Sequence, residues 1–288
     1  MGDVMSIYIK LLIASFFWGS NVIVMKLLLN DIPFLMLATL RVLASFLFLG
    51  LYMLWKHISF DGTSKGRLLI IGFISIYLNF FFTFLGMNEV KGIDNAFMNA
   101  LAPMLTLIFS MILLKYQATK KEYISVVFTM IAFLLSIRFQ IFSIQLGFLY
   151  LFFGLVLYML GNVLIQKWGM NHTLSLTFYQ LLFGFLFLLI HCLISNQFDI
   201  QVLFYMKWWK WVLFLVVSGI GFAYIQAIYI QSIQQIGVFE TSFFLSLNPI
   251  VTYIESLIFL NESFDFLHFL SFILLGYAVY LSKKKKEI

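Results

Sequence analysis

The charged side chains that could do chemistry in this sequence lie inside long apolar stretches. Arg41, Asp94, Glu240 and Glu255 are each embedded in such a stretch. A charge near the middle of a membrane helix costs about 2.5–3.5 kcal/mol on insertion scales, so each one needs a partner or a water-filled cavity. These residues therefore predict polar contacts inside a membrane.

Glu255 is the strongest single candidate for a charge-coupling role. A low-dielectric site favours the protonated form of a carboxyl group, so Glu255 could carry a proton or pair with a cationic solute. The alternative is an ion pair with Arg41, or a carboxylate that reaches toward the membrane surface. Arg41 has matching alternatives, a structural ion pair or the attraction of an anionic solute. Asp94 and Glu240 are expected near helix N-termini, where the helix dipole stabilises them, with gating as a second reading.

The motifs of several other function classes are absent from the sequence. No G-x-x-x-x-G-K-[ST] phosphate loop occurs, so energy for any work would have to come from a gradient. The four histidines and the single Cys192 form no zinc motif, and no nucleophile has a recognisable base partner. We therefore expect no enzyme, no metal site and no cofactor.

The elements that position these residues are predicted to be membrane helices. The chain is 63% hydrophobic and 10% charged, whereas soluble domains are about 45–50% apolar and about 25% charged. Continuous apolar runs exclude the period-two alternation of a membrane barrel. Runs of about twenty apolar residues, enough to cross a bilayer, predict ten transmembrane helices near 8–28, 33–55, 68–86, 92–114, 122–138, 146–166, 174–194, 210–231, 237–260 and 266–282.

The positive charges follow the predicted membrane topology. With a cytoplasmic N-terminus, more of the lysines and arginines that flank the spans fall on the inner side than on the outer side. The positive-inside rule then places both termini in the cytoplasm. The net charge of +6 is thus explained by the lipid bilayer, and we expect no nucleic-acid partner.

The sequence repeats itself at a period near half its length. An offset of 146 aligns Pro103 with Pro249 and places Asp94 opposite Glu240 in the fourth and ninth spans. Offsets of 141 for the first and sixth spans and 139 for the second and seventh also produce matches, among them Asn21 with Asn162. Five spans per half is an odd number, so the halves 1–142 and 143–288 must enter the membrane from opposite sides. The prediction is an all-α membrane protein, a 5+5 inverted repeat around a central cavity.

Particular residues resemble a known family, the ten-helix drug/metabolite transporters with EamA-type repeats. The Trp-Gly-Ser-Asn sequence at 18–21 is similar to the family's opening signature, and Pro103 and Pro249 match its prolines in the fourth and ninth helices. Glu262 resembles the acidic residue that closes the ninth helix, and Gly276 the glycine of the tenth. The resemblance implies transport of metabolites, amino acids or drug-like molecules across a bacterial cytoplasmic (inner) membrane.

Polar stripes on the fourth and ninth spans predict that two proline-kinked helices face each other across the cavity. Proline removes a backbone donor and frees a carbonyl one turn earlier, which needs another partner in a membrane. The alternative is that these residues only join neighbouring helices, each for about 0.6–2 kcal/mol. The predicted wall residues are Trp18, Asn21, Tyr77, Asn95, Asn99, Pro103, Tyr158, Asn162, Gln226, Tyr229, Asn248, Pro249 and Thr252.

The leading functional prediction is a secondary transporter that works by alternating access. It would export a small organic solute, an amino acid or related metabolite, with protons as a candidate coupling ion. A second hypothesis is uptake of a cationic or quaternary-ammonium solute, held by aromatic rings and Glu255. A hypothesis from another class is a membrane enzyme or lipid-handling protein. A cavity within one chain makes a monomer sufficient.

Overall fold

The computed structural model describes residues 2–60, 64–138, 145–259 and 265–282, and within them the secondary structure is helical without strands. A five-residue helix, Gln201–Tyr205, precedes the eighth long segment. The long helical segments are α1 Gly2–Leu28, α2 Phe34–Trp55, α3 Lys65–Glu89, α4 Gly92–Leu114, α5 Lys120–Ser136, α6 Leu146–Lys167, α7 Thr173–Ile194, α8 Trp208–Ile236, α9 Val238–Phe259 and α10 Phe266–Ser282.

Eight of the described segments are long and apolar enough to cross a membrane. The other two, α5 and α10, have 17 residues each. The prediction of an all-α membrane protein is confirmed, whereas the arrangement of ten spans as two inverted sets of five stays a prediction. Helix positions agree with the predicted ranges except at some ends. The helix α8 runs on past 231 because Gln234, beyond the apolar run, hydrogen-bonds the Met170 carbonyl oxygen at 2.7 Å and accepts from Thr173.

The third and eighth helices share an irregularity in the middle of the span. Residues Gly72–Leu78 of α3 and Phe214–Gly221 of α8 are π-helical. Such wide turns disturb the regular backbone hydrogen bonds and often mark functional sites. The two segments fall at corresponding places in the two halves of the chain.

The fourth and ninth helices are interrupted just before their prolines. In α4, residues Asn99–Leu101 form one 3₁₀ turn, and in α9 a turn at 246–247 separates two helical pieces. Pro103 and Pro249 lack the N–H that would bond to the preceding turn, so the α-helical pattern breaks there. The sequence predicted both interruptions.

Helix packing follows a regular scheme. The helix α1 packs against α8 and α9, and α6 packs against α3 and α4. The helix α2 contacts α8, and α7 contacts α3. The remaining major pairs are α2 with α7, α4 with α9 and α5 with α10. When five is added to both helix numbers, counting on from α10 to α1, each of these pairs becomes another pair of the set or stays the same pair.

Two glycines allow α3 to approach its neighbours closely. A Cβ at Gly184 of α7 would lie 2.2 Å from the Ile76 Cγ2, and one at Gly161 of α6 would lie 2.5 Å from the Ser75 Cβ. Small residues of this kind let membrane helices pack at short range. The π-helical segment of α3 is therefore held tightly between α6 and α7.

Candidate functional site

A cavity lies between α1, α2, α3, α4 and α6. We call it the asparagine cavity, because four of its lining residues are asparagines. Six residues predicted from the sequence line it: Trp18, Asn21, Arg41, Asn95, Asn99 and Tyr158. The other lining residues are Val22, Met25, Asn79, Phe80, Thr83, Met87, Met98, Leu151 and Leu155.

Asn21 links the cavity wall to the irregular segment of α8. Its side-chain Nδ2 donates to the Val217 carbonyl oxygen at 2.8 Å, and the Ser218 hydroxyl donates to its Oδ1 at 3.4 Å. Val217 lies in the π-helical stretch. The amide therefore provides a partner for a backbone group that membrane lipid could not satisfy.

Arg41 places a buried guanidinium against aromatic rings. Its Cζ lies 4.1 Å from the ring centroid of Phe222 and 4.8 Å from that of Phe80. Arg41 is 8% exposed, and its Nε has no hydrogen-bond partner among the residues that the structure describes. No ion pair of Arg41 is found in the described part of the chain, so the alternative of a structural pair with Glu255 is not supported.

Aromatic side chains form the floor of the asparagine cavity. The Trp18 ring centroid is 5.6 Å from that of Tyr158 and 5.9 Å from that of Tyr229, and the two tyrosine rings are 5.8 Å apart. The Tyr158 hydroxyl donates to the Gln226 Oε1 at 3.2 Å, and Gln226 donates to Gln180 at 3.2 Å. Trp18 and Tyr158 are wall residues, and the layer continues through Tyr229 and Gln226 of α8 to Gln180 of α7.

Three buried polar side chains of the floor and of α9 have few hydrogen bonds. Within the described residues, the Asn248 amide and the Tyr229 hydroxyl have no partner, and the Asn162 amide lies at the Tyr158 hydroxyl. Asn162 lies one helical turn beyond Tyr158, away from the cavity. Buried polar groups are normally paired, so each exception calls for an explanation.

The ninth helix does not line the asparagine cavity, in contrast to the prediction. Asn248, Pro249 and Thr252 are buried, and Thr252 donates to the Gly19 carbonyl oxygen at 3.1 Å. The reason is that α9 packs directly against α1 and α4, so these helices meet without a gap. Pro103 is likewise buried in α4 and is not a lining residue.

Tyr77 also lies outside the cavity. Its ring packs against Phe73 and Phe187, and its hydroxyl is 3.2 Å from the Nδ1 of His191. The side chain therefore faces α7 rather than α1. Gln226 and Tyr229 belong to the floor, and Asn162 lies beneath it.

Glu255 lies apart from both the cavity and its aromatic floor. The Ser20 hydroxyl donates to the Glu255 Oε1 at 2.5 Å, which joins α9 to α1. The carboxyl group is not among the cavity-lining groups. A cation cage built from Glu255 and these aromatic rings is therefore not formed in this structure.

A second cavity lies at the opposite ends of α4 and α6. We call it the glutamate cavity, since Glu122 and Glu240 both line it. The Tyr8 hydroxyl donates to Glu240, and the Tyr116 hydroxyl donates to Glu122 at 2.6 Å. Burial and the hydrogen bond to Glu122 raise the pKa of Tyr116 above its ordinary value. The remaining lining residues are Ser110, Leu114, Gln166, Ile236, Gly237, Val238, Phe239 and Ser282.

The two acidic residues predicted as helix-start groups have that position. Asp94 is in the first turn of α4 and Glu240 in the first turn of α9. Within the described residues, no group of three or more histidine, cysteine or acidic side chains could hold a metal ion.

Comparison with known proteins decides the family. The model of the EamA-like transporter family matches residues 5–138 and 142–283. This chain belongs to the EamA-like transporter family. It is therefore a membrane transporter by family, as the sequence resemblance implied.

Two relatives of this EamA-like transporter come from Bacillus subtilis (strain 168). An "Uncharacterized transporter YetK" is 26% identical over 298 aligned positions, covering 98% of this chain and 88% of the relative. An "Uncharacterized transporter YyaM" is 29% identical over 213 residues, covering 68% of each chain. A solved structure described as "Crystal structure of protein" has a TM-score of 0.73 at 11% identity, covering 96% of this chain and 97% of that one. This last likeness shows the fold alone.

Sequence reasoning missed part of the cavity wall. Asn79, whose Nδ2 donates to the Gly154 carbonyl oxygen at 3.1 Å, lines the cavity from α3 together with Phe80 and Thr83. An amide inside an apolar span was the available signal for Asn79. Glu262, which the family resemblance marked, lies outside the described residues.

Proposed function

We propose that this chain is a secondary transporter that exposes one central site alternately to the two sides of the membrane. The five-helix halves, 1–142 and 143–288, would be inverted repeats whose exchange of conformation moves the opening. The packing scheme supports this, because helix contacts recur when both numbers are shifted by five. Such pseudo-symmetry lets one sequence pattern adopt two mirrored arrangements.

The observation that carries this proposal is the unequal state of two repeat-related asparagines. Asn21 lines the asparagine cavity and binds the Val217 carbonyl oxygen in α8. Its counterpart at an offset of 141, Asn162, is also buried but lines no such cavity, and its amide lies at the Tyr158 hydroxyl. In the mirrored conformation Asn162 would become the wall residue, and Asn21 would leave the wall.

The unsatisfied groups around the floor have a physical reason in such a cycle. A buried polar group without a partner costs about 1–3 kcal/mol. The Asn162 and Asn248 amides and the Tyr229 hydroxyl would be solvated when the opening moves to the other end of the bundle. Solvation of these groups in the alternate conformation would favour it and bring the two conformations closer in free energy.

The orientation follows from the proposed topology in a bacterial cytoplasmic membrane. With both termini in the cytoplasm, the Leu28 end of α1 lies outside. The asparagine cavity would then open outward and the glutamate cavity toward the cytoplasm. The cavity lies within one chain, so a monomer would be a complete transport unit.

The transported solute would be a small organic metabolite of amino-acid size, with export as the direction. The cavity combines amides, aromatic rings and one guanidinium, a set that fits a molecule with polar and apolar parts. Energy would come from the solute's own gradient or from protons. Glu255, hydrogen-bonded to Ser20 between α1 and α9, is a candidate for a proton-carrying group outside the solute site.

A metabolite comparison tests the proposed function. Intracellular and extracellular metabolites are measured in cells that lack the protein and in cells that overproduce it. The expected result is a reciprocal change of one or a few solutes, reproduced by counterflow in proteoliposomes that contain the purified protein. The absence of any such solute, with lipid turnover by the protein in detergent, would contradict transport and favour a lipid-handling activity.

A further inference from the structure

We propose that the transported solute carries a carboxylate, which Arg41 binds in the asparagine cavity. This inference rests on the proposed function, because it assigns the substrate class of the same site. It commits to an organic monocarboxylate with an apolar body. The alternatives are a neutral amide-like solute and a cationic solute, and they are the other possible outcomes of the test.

The wall of the asparagine cavity is positively charged. Among the described lining residues, Arg41 is the one charged side chain, and the others are amides, a hydroxyl, aromatic rings and apolar groups. Asp94, the acid nearest in sequence to a lining residue, is itself not in the wall. The wall therefore has a net positive charge, which repels a cation and attracts an anion.

Aromatic rings surround the guanidinium of Arg41. Phe222 and Phe80 cover the guanidinium at 4.1 and 4.8 Å, and Phe84 lies at 5.9 Å. Aromatic faces stabilise a cation, but they do not neutralise it. A buried charge needs an anionic partner or water, and no such protein partner is found in the described part of the chain. The open cavity is the side from which that partner would come.

The repeat-related position shows that the fold itself does not require this charge. At an offset of 139, Arg41 corresponds to Gln180 in α7. Gln180 is buried and each of its side-chain polar atoms has a partner, since it donates to the Ser75 hydroxyl at 2.7 Å and accepts from Gln226 at 3.2 Å. A neutral amide with protein partners occupies the repeat-related position in α7. Helix packing therefore does not require a charge there, and the guanidinium of Arg41 is specific to the asparagine cavity.

The rest of the wall favours a monocarboxylate over a more highly charged anion. One guanidinium balances one negative charge, and its planar fork matches the two oxygens of a carboxylate. A phosphate dianion would remain only half neutralised in this low-dielectric site. Trp18, Leu151 and Leu155 supply an apolar surface for the body of the solute.

The test measures binding of three matched compounds to the full-length protein in nanodiscs. The compounds are 3-phenylpropionate, its neutral amide 3-phenylpropionamide, and the cation 2-phenylethylamine. In the unaltered protein we expect the acid to bind at least about tenfold more tightly than the amide or the amine, by calorimetry or thermal shift. Arg41→Gln should remove this preference, and Arg41→Lys should keep part of it, because an ammonium retains the charge without the fork.

Arg67→Gln is the matched control, since Arg67 is exposed and outside the cavity wall, and it should leave all three affinities unchanged. Equal binding of acid and amide, a preference that survives in Arg41→Gln, or no binding of the acid would each overturn the carboxylate inference. If Arg41→Gln does not fold, the ratio of acid affinity to amide affinity in the unaltered protein and in Arg41→Lys still tests the inference. Counterflow of the solute found by metabolite comparison is measured separately, so the transporter proposal can stand when this inference fails.

Discussion

The asparagine cavity and the glutamate cavity lie at opposite ends of the same helices and differ in how they are closed. At the first, Asn95 and Asn99 of α4 face open space. At the second, Glu240 and Glu122 are held by hydrogen bonds from Tyr8 and Tyr116. Since Asp94 and Glu240 are related by the internal repeat, the two ends of the bundle occupy corresponding positions in the two halves of the chain. The Tyr8–Glu240 hydrogen bond joins α1 to α9 at the second end, whereas the described lining of the asparagine cavity contains no tyrosine–acid pair.

The two ends also differ in charge. The guanidinium of Arg41 lies in the wall of the asparagine cavity, and two carboxyl groups lie in the wall of the glutamate cavity. The internal repeat preserves the kinked and π-helical segments and the acidic pair Asp94 and Glu240, but it has Gln180 in place of Arg41. In the proposed mechanism the repeated framework would allow the conformational change, and the unrepeated Arg41 would determine what is bound.

The largest expected effect is that of removing the charge from the asparagine cavity. Arg41→Gln should lower transport of the physiological solute at least about 30-fold in kcat/KM, because losing one partner of a buried charge pair costs about 2 kcal/mol or more. Proteoliposome uptake measures it, with Arg67→Gln as the control. A variant that transports at the normal rate would show that the charge difference between the two ends has no role in binding.

The next effect concerns the fastening of the glutamate cavity. Tyr8→Phe removes the hydrogen bond to Glu240, which is worth about 1.5–3 kcal/mol for a charged acceptor. The population open at this end should rise about tenfold or more. A cysteine at Ser110 in a Cys192→Ser background would report this as faster maleimide labelling. Tyr205→Phe, at an exposed tyrosine, is the control. Equal labelling rates in Tyr8→Phe and Tyr205→Phe would show that the Tyr8–Glu240 hydrogen bond does not hold this end closed.

The repeat-related asparagines give a smaller, unequal pair of effects on stability. Asn21→Leu leaves the Val217 carbonyl oxygen without its partner and should lower the stability of the described conformation by about 1–2 kcal/mol. Asn162→Leu removes an amide that lies at the Tyr158 hydroxyl and bonds no described backbone group, so it should cost less stability than Asn21→Leu while it stops transport. Thermal unfolding in detergent separates the two, and equal destabilisation by both would refute the asymmetry.

The smallest effect is expected at an exposed arginine far from either cavity. Arg138 binds Asp265 at 2.7 Å between the ends of α5 and α10. Exposed pairs are worth less than about 1 kcal/mol, so Arg138→Gln should change stability little. Burial alone would raise the pKa of Asp265, but hydrogen bonds from Arg138 and the Leu267 N–H lower it overall.

The sign of the pH dependence follows from that lowered pKa. The stabilisation by the Asp265 carboxylate is complete above its unfolded-state pKa and is lost as pH falls through its lower folded-state pKa. In Arg138→Gln the folded-state pKa of Asp265 rises toward the unfolded-state value, so the loss of stability on acidification should be smaller, measured as Tm between about pH 3 and about pH 7. An unchanged dependence of Tm on pH in the acidic range would mean that the Arg138–Asp265 pair contributes nothing to stability.

The sequence predicted the helices well and the cavity only in part. Apolar length placed the spans, and Pro103 and Pro249 placed the interruptions, because both depend on local chemistry. The direction in which each side chain faces depends on helix packing, which a single sequence does not determine. Tyr77 was therefore assigned to the cavity although it faces α7, and the α9 residues were assigned to it although α9 packs directly on α1 and α4.

Cavity residues were predicted where a polar group had an evident need for a partner. Asn21, Asn95, Asn99 and Arg41 met that condition. Asn79 also met it, but its neighbours in α3 gave no repeat signal to support it. The pairing of Gln180 with Ser75 and Gln226 depends on the close approach of α3 and α7, which only the packed structure reveals.

The central claim is that the two cavities open alternately to opposite sides of the membrane. Single cysteines at Thr83 in the asparagine cavity and at Ser110 in the glutamate cavity, each in Cys192→Ser, can be labelled with a membrane-impermeant maleimide from either side of oriented vesicles. We predict that each site is labelled from one side, that the sides are opposite, and that Tyr8→Phe slows labelling at 83 as it speeds labelling at 110. Labelling of both sites from the same side, or acceleration of both together, would contradict alternating access.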